Sequence, residues 1–309
     1  MRKRFLSIFA LAAVLALVAT ACKSSSSSTT APANGSTASG NDLLSTVMAS
    51  GQLVVATDPK YPPQSELVNG QWQGFDIEVA QEIAKRLGLQ IKFVTPAWKT
   101  LISGNWQGRQ DLSVGSMTIT TERAQVLDFT KPYYYTPAGI AVYDTNSEIA
   151  GPADLTGKTV GTCGACTYEE YLKGTLSIPN YPVDFQITGA NVKTYDTDST
   201  AIQDLAKGDC LVLCAAFSAV PTLQAAVDKG LPIKVVGEPL YYEPLAVAVD
   251  KEAPEDPTSF ATKVSGIIQD MHDDGTLSGF SCKWYKTDIT VTNQDDAADC
   301  GSASTSPAA

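Results

Sequence analysis

Residues 111–134 read DLSVGSMTITTERAQVLDFTKPYY, a buried-strand pattern that leads into a turn rich in hydroxyl groups. The strand is predicted to end near Val114, and the backbone around Ser116 can then present N–H groups to a cleft. Thr118 adds a hydroxyl, and Arg123 follows where a helix is predicted to begin. An arginine fork combined with N–H groups and hydroxyls forms a carboxylate clamp. The alternative is an ordinary arginine exposed to solvent beside a turn.

On both sides of this stretch, strand patterns alternate with helix patterns. Apolar residues recur at three- and four-residue spacing from Val79 to Leu87, and Gly88 ends this predicted helix. Further helix patterns end at Gly208 and Gly230. Short apolar runs predict strands at 53–57, 91–94, 159–162, 211–213 and 233–236. Strands separated by helices of this length are typical of parallel βαβ units, which predicts an α/β fold.

The composition is that of a globular protein of 309 residues, with 44% hydrophobic and 18% charged residues. This length allows two domains that each bury a core. The 33 acidic residues outnumber the 22 Lys and Arg, and the net charge of −11 disfavours nucleic-acid binding. The single histidine, His272, argues against a Ser-His-Asp hydrolase and against zinc sites that need several imidazoles. We therefore predict no metal, no cofactor and no nucleic-acid partner.

The N-terminus is typical of an export signal. Three basic residues precede 5–21, a run of 17 residues without a charge, which predicts a signal peptide over 1–21. A transmembrane helix is the alternative, but it needs roughly 20 apolar residues. Cys22 follows Ala19-Thr-Ala, which resembles a bacterial lipobox with Ala19 in place of the usual Leu. We expect a signal-cleaved lipoprotein with lipid (palmitate) on Cys22, a flexible Ser-rich linker over 22–42, and a location on the outer face of the cell membrane or in the periplasm.

Export changes the interpretation of the cysteines. Seven cysteines less Cys22 leave six, and an oxidising compartment favours disulfides. Cys210 and Cys214 have a spacing that resembles a metal-ligand pair. If residues 211–213 form a strand, however, these two cysteines lie about 13 Å apart, too far for one metal ion.

Several ordered motifs accompany the stretch 111–134. They are ATDPKYPP (56–63), GFD (74–76), WKTLI (98–102), GKTVG (157–161), TYEEY (167–171), DGTL (274–277) and KWY (283–285). Together they resemble the extracytoplasmic polar amino-acid-binding proteins of ABC importers, bacterial solute-binding protein family 3, over about 48–290. The resemblance implies a two-lobed, periplasmic-binding-protein-like fold of type II. Each lobe would be a mostly parallel sheet flanked by helices, with the ligand cleft between the lobes.

The same resemblance implies the ligand-binding residues. A ligand carboxylate would meet Arg123 and Thr118 on one lobe, and a helix N-terminus at the 166–167 loop on the other. Tyr61 and Trp98 would flank the ligand, and Asp58 would bind a polar or cationic side chain of the ligand. Alternatively, the two aromatic residues are core residues and Asp58 is a turn residue. The full set is Asp58, Tyr61, Trp98, Ser116, Thr118, Arg123, Cys166 and Thr167.

Two positions depart from the family pattern. Ala216, give or take one residue, stands where the family has an aspartate for the ligand's ammonium group, and no acid lies between Cys210 and Val227. Cys166 stands where the family has Ser or Thr. We therefore expect a small carboxylate-bearing ligand, an amino acid above all, whose ammonium group is read by another residue.

The resemblance also divides the mature chain. The first lobe would comprise 43–134 and 252–293, the second lobe 135–251, and a polar tail 294–309. The crossings between lobes are expected near Tyr134-Tyr135 and Asp250-Lys251.

Disulfide pairings follow from position and from the family's strand order. Cys282 and Cys300 are the last two cysteines and are expected to pair. Cys214 is expected to bond to Cys163 or, as a second choice, to Cys166, because the family places their strands side by side.

The implied function is that of a monomeric solute-binding lipoprotein, not an enzyme, that captures an amino acid or related small carboxylate and delivers it to the permease subunits of an ABC importer. One alternative is a cyclohexadienyl dehydratase-like enzyme on the same fold, with Glu243 or Asp58 as general acid. The other is a sensory ligand-binding module, which would be expected to continue into a transmembrane helix, and no such pattern follows residue 250.

Overall fold

The computed structural model describes residues 41–291 and Cys300. The expected signal peptide, the proposed lipidation site Cys22, nearly all of the linker, and the tail apart from Cys300 lie outside the described residues. Among the residues that are described, no helix is both long and apolar enough to cross a membrane.

Helices and strands alternate along the described chain. The helices are α1 Leu43–Ser50, α2 Phe75–Leu87, α3 Trp98–Ile102, α4 Thr167–Leu172, α5 Asp198–Leu205, α6 Val220–Asp228, α7 Thr258–Asp273 and α8 Thr276–Tyr285. The strands are β1 Gln52–Ala56, β2 Lys60–Tyr61, β3 Ser65–Val68, β4 Gln71–Gln73, β5 Gln90–Val94, β6 Leu112–Thr118, β7 Leu127–Tyr143, β8 Thr159–Cys163, β9 Asn191–Tyr195, β10 Ala215–Ala219 and β11 Ile233–Asp250.

Helix α2 illustrates how the local sequence sets an element. Its apolar residues at three- and four-residue spacing, such as Val79 and Ile83, form one fully buried face. Glu78 lies in the first turn, where a negative charge interacts favourably with the helix dipole. Gly88 ends the helix in the left-handed conformation, with its N–H donating to the carbonyl of Ala84. The predicted helix and its end are confirmed.

The larger sheet has eight strands in the order β5-β1-β6-β11-β7-β10-β8-β9. Strand β1 is parallel to β5 and β6, and β8 is parallel to β9 and β10. Between these two parallel blocks lie β7 and β11, two long strands that are antiparallel to each other. The predicted α/β fold with parallel units is therefore confirmed, and the two antiparallel strands join its two halves.

Each half of the sheet has its own hydrophobic core. Val55, Ile83 and Ile268 belong to the core around the β1 block, and Val160 and Phe217 belong to the core around the β8 block. These two cores are the centres of the two lobes, and a polar cleft lies between them.

The last part of β11 differs from the expected lobe assignment. Leu245, Val247 and Val249 pack in the first core, and Leu245 pairs with Thr118 of β6. The resemblance implies that these residues lie in the second lobe and that the crossing is at Asp250-Lys251. The strand is continuous from Ile233 to Asp250, so no local break in the sequence marks the change of core.

The strand predicted at 211–213 is wrong. These residues form a turn in which the N–H groups of Val212 and Leu213 both donate to the carbonyl of Asp209, and Leu211 is 97% exposed. The turn is closed by a disulfide between Cys210 and Cys214, whose Cα atoms lie 4.1 Å apart. Because the strand begins only after this turn, the predicted separation of about 13 Å for an extended chain does not apply.

The expected bond from Cys214 to Cys163 is also wrong, as is its alternative to Cys166. Cys163 is bonded to Cys166, with the Cα atoms 5.7 Å apart. The strands are neighbours as expected, but their register places Cys214 beside Thr159 at the start of β8, while Cys163 ends that strand. Four residues of strand span about 13 Å, which no disulfide bridges.

The C-terminal pair is present in the structure: Cys282 of α8 is bonded to Cys300. This bond ties residue 300 to the helix that packs against the first core.

Candidate functional site

A cavity lies in the cleft between the two cores. All eight ligand-binding residues implied by the resemblance line this cavity. The remaining lining residues are Gly115, Cys163, Tyr168, Asp196, Thr197, Asp198 and Glu243.

Arg123 is the only basic residue among those that line the cavity. It begins a single 3-10 turn, not the longer helix that the sequence predicted, and its side chain is only 3% exposed. The guanidinium donates to the carbonyls of Thr118, at 3.2 Å, and Ala165, at 3.3 Å. Within the described residues its Nε has no hydrogen-bond partner. A buried N–H of this kind is a ready donor for a ligand carboxylate.

Trp98 forms one wall beside this arginine. The Arg123 guanidinium lies 5.1 Å from the centre of the Trp98 ring, a cation–π contact. The indole N–H donates to the carbonyl of Ala165 at 2.9 Å. Ala165 has a φ of 59° and belongs to the loop that the Cys163–Cys166 disulfide closes. One carbonyl of the second half therefore accepts hydrogen bonds from two residues of the first half.

Glu243 is a buried carboxylate at the centre of the cleft, only 2% exposed. Hydroxyls from both halves donate to it: Thr118 at 3.2 Å, Tyr168 at 2.8 Å, Tyr241 at 3.5 Å, and Thr167. Burial raises the pKa of Glu243 above its ordinary value, and the hydrogen bonds from Thr167 and Tyr168 act in the opposite direction.

This network changes the roles expected for Thr118 and Thr167. The resemblance implies that Thr118 and, across the cleft, the loop at Thr167 meet a ligand carboxylate. In the structure each hydroxyl has one proton and donates it to Glu243. Their oxygens keep lone pairs that can accept from a ligand. From the sequence, Glu243 is a candidate only as a catalytic acid. The signal for its burial is that it is the single charge in the apolar run 239–249.

Ser116 lines the cavity but its polar groups are already engaged. Its backbone N–H donates to Tyr133 Oη at 3.0 Å, and its hydroxyl donates to Asp76 at 2.7 Å and accepts from Tyr134 at 2.6 Å. Tyr133 also donates to Asp76 at 2.7 Å. This buried network supports the floor of the cavity, so the expected donation from the Ser116 backbone to a ligand is not available in this arrangement.

Asp76 should make the stability of the protein depend on pH. Burial raises its pKa from 3.8 to about 7 in the folded protein. Between these values the folded state holds a proton that the unfolded state releases, so unfolding free energy falls as pH rises from about 4 to about 7. We expect Asp76→Asn to reduce this slope by up to one proton in urea unfolding measured from pH 4.5 to 8. Asp144→Asn, on an exposed turn, is the control; an unchanged slope in Asp76→Asn would mean that Asp76 is already ionised when folded.

Two cores joined by two long antiparallel strands, with a polar cavity between them, define a two-lobed ligand-binding protein. The family model of bacterial extracellular solute-binding proteins, family 3, matches residues 53–287. The chain belongs to this family, and the resemblance drawn from the sequence motifs is confirmed.

Similar proteins support the same conclusion. The L-cystine-binding protein TcyJ of Escherichia coli (strain K12) is 31% identical over 251 residues, which cover 80% of this chain and 88% of that protein. A solved structure of an ancestral arginine-binding protein bound to arginine is similar, with 31% identity and a TM-score of 0.66 over 76% of this chain and 98% of that one. The ancestral amino acid-binding protein AncCDT-1, a precursor of cyclohexadienyl dehydratase, is also similar, with 29% identity and a TM-score of 0.67 over 78% of this chain and 99% of that one. The two-lobed fold is confirmed.

Proposed function

We propose that this protein is the solute-binding component of an ABC importer and that it captures an amino acid in the cleft for delivery to the permease. Family membership and relatives that bind cystine or arginine support this function. The observation that carries it is Arg123, a buried guanidinium that lines the cavity and has an unpartnered Nε.

In this proposal the Arg123 guanidinium holds the ligand carboxylate. Tyr61 and Trp98 flank the ligand, and Asp58 reads a polar or cationic group at the side-chain end. Thr118 and Thr167 present hydroxyl oxygens from opposite lobes. Ser116 and Cys166 shape the floor and the opposite loop.

The lobe boundaries form part of the same proposal. We assign 43–134 and 245–293 to the first lobe and 135–244 to the second, with crossings where Tyr134 pairs with Leu245 and Tyr135 with Pro244. The contacts that Trp98, Arg123 and Thr118 make with the opposite lobe belong to the closed form. A ligand that strengthens these contacts would favour closure.

A thermal-shift screen of the twenty amino acids and of small carboxylic acids tests the function. A ligand at 100 times its Kd stabilises the folded state by about 2.7 kcal/mol, which corresponds to roughly 5–11 °C for a protein of this size. We expect at least one amino acid to produce such a shift at millimolar concentration. No shift with any amino acid would contradict the proposal.

We also propose that the protein is exported, acts as a monomer, and is anchored to the membrane by lipid on Cys22. Anchoring by two or more acyl chains prevents release into buffer. Cys22→Ala should move the protein from the membrane fraction to the soluble fraction of cells. Wild-type protein in the soluble fraction would contradict anchoring.

The enzyme alternative keeps one supporting observation, a buried acid of raised pKa, Glu243, in the cavity. Four hydroxyls already surround this carboxylate, and the relatives described above include binding proteins for cystine and arginine. We therefore expect no turnover of prephenate by the purified protein. Measurable turnover would favour a dehydratase.

A further inference from the structure

The cavity has more acids than one bound amino acid needs. Its lining includes Asp58, Asp196, Asp198 and Glu243, against the single base Arg123. An amino acid brings one carboxylate, which Arg123 can hold, and one ammonium group, which requires an acceptor. The four acids are therefore the candidates for that acceptor.

Ala216, at the position where the family pattern has an ammonium-binding aspartate, does not face the cleft. Ala216 packs in a separate core with Leu205 and Leu223. None of the residues of β10, Ala215–Ala219, lines the cavity. The acceptor must come from another element.

Two of the four acids lie at the mouth of the cleft. Asp58 and Asp196 also line an adjoining pocket, together with Lys60 and Lys99, and Asp196 is exposed. Asp58 accepts a hydrogen bond from the backbone N–H of Lys60 at 2.7 Å. These two carboxylates are placed to meet the outer end of a ligand.

Glu243 and Asp198 lie deeper, and they differ in their partners. Glu243 accepts from four hydroxyls. Asp198 is 7% exposed, and its Oδ1 has no hydrogen-bond partner within the described residues. No Lys, Arg or His of the described chain forms an ion pair with it. A buried carboxylate oxygen without a partner is unfavourable unless a proton or an external cation neutralises it.

The backbone holds Asp198 firmly in this position. Asp198 is the first residue of α5, and Thr197 caps that helix by accepting from the N–H of Thr200 at 3.2 Å. Burial raises the pKa of Asp198 to about 7; the nearby Ser218 hydroxyl acts in the opposite direction, and the charges of Glu243 and Asp58 add to the rise. A carboxyl of this pKa is partly protonated at neutral pH, and a cationic group can replace that proton.

We propose that Asp198 binds the ammonium group of the amino acid whose carboxylate Arg123 holds. This inference rests on the proposed function and names its substrate class: small molecules that have both a free carboxylate and a free primary ammonium group. Carboxylic acids of the same shape that lack the ammonium group bind more weakly.

Matched pairs of probes test the inference by isothermal titration calorimetry. The pairs are L-arginine with 5-guanidinopentanoate and L-cystine with 3,3′-dithiodipropionate, which differ only in the α-ammonium groups. One charged hydrogen bond contributes about 1.5–3 kcal/mol, so we expect wild-type protein to prefer the amino acid by roughly 10- to 150-fold in each pair that binds. Asp198→Asn should reduce this preference to a few-fold. Asp144→Asn, on an exposed turn outside the cavity, should leave it unchanged.

The outcomes separate this inference from the proposed function. If Asp198→Asn keeps the wild-type preference, the inference is overturned while amino-acid binding stands. If wild-type protein binds no amino acid in the thermal-shift screen, the proposed function fails first. Should Asp198→Asn unfold, Asp198→Glu, which keeps the charge but moves it by one methylene, replaces it. If Asp198→Glu binds the amino acid more weakly but binds the deaminated probe as wild type does, the inference is supported. If the ratio of the two affinities is the same as in wild type, the inference is overturned.

Discussion

Replacing Arg123 with alanine should raise the dissociation constant for the bound amino acid by at least about 30-fold and up to several thousand-fold. Removing one partner of a buried, hydrogen-bonded charge pair costs about 2–5 kcal/mol, and each 1.4 kcal/mol is a factor of ten. Arg123 lies almost wholly out of solvent, so water cannot replace the lost donor. Isothermal titration calorimetry measures this effect directly.

Arg123→Lys separates charge from geometry. The lysine keeps a positive charge, but its single ammonium group cannot serve both carbonyls, of Thr118 and Ala165, and also present a fork to a carboxylate. We expect a loss of about tenfold or more. Arg109→Ala, at an exposed position, is the control and should bind as wild type does. Unchanged affinity in Arg123→Ala would remove the clamp from the proposed function.

The second large effect is expected at Glu243. Glu243→Ala leaves the hydroxyls of Thr167 and Tyr168 buried without their acceptor and removes a connection between the lobes. Each buried hydroxyl left without its acceptor costs about 1–3 kcal/mol, so the loss for both is about 2–6 kcal/mol. At roughly 2–4 °C per kcal/mol for a protein of this size, the melting temperature should fall by about 4–24 °C.

Glu238→Ala is the matched control, since Glu238 lies on the same strand but is exposed. It should change the melting temperature by no more than about 2 °C, as surface substitutions usually do. Glu243→Gln, which keeps the shape but replaces one acceptor oxygen with an NH₂ group, should give an intermediate loss. A wild-type melting temperature in Glu243→Ala would mean that the hydroxyl network does not stabilise the protein.

The elements that were predicted correctly are those whose signals are local. The buried face of α2 and its end at Gly88 follow from spacing and from backbone freedom within a few residues. The short apolar strands at 91–94 and 159–162 were likewise bounded by turn residues on both sides. Such patterns determine an element without knowledge of the rest of the fold.

The errors came from properties that only the tertiary structure determines. Residues 211–213 are apolar like a strand, yet a disulfide closes them into a turn that exposes Leu211 and buries Leu213. The pairing of Cys163 depends on strand register, which adjacency of strands does not fix. The continuity of β11 from Ile233 to Asp250 likewise depends on pairing with β7 along its length.

The residues that line the cavity could be predicted more fully than the contacts that they make. All eight residues implied by the motifs line the cavity, because the motifs identify which loops meet there. Neither the hydroxyl network around Glu243 nor the unpartnered oxygen of Asp198 could be derived from spacing, because both depend on contacts between residues far apart in sequence.

A crystal structure of the protein with the amino acid that raises its melting temperature most tests the central claim most directly. We predict electron density for that amino acid between Tyr61 and Trp98, with its carboxylate within hydrogen-bonding distance of Arg123 Nε and a terminal nitrogen. A ligand bound outside this cavity, or one whose carboxylate lies away from Arg123, would contradict the account.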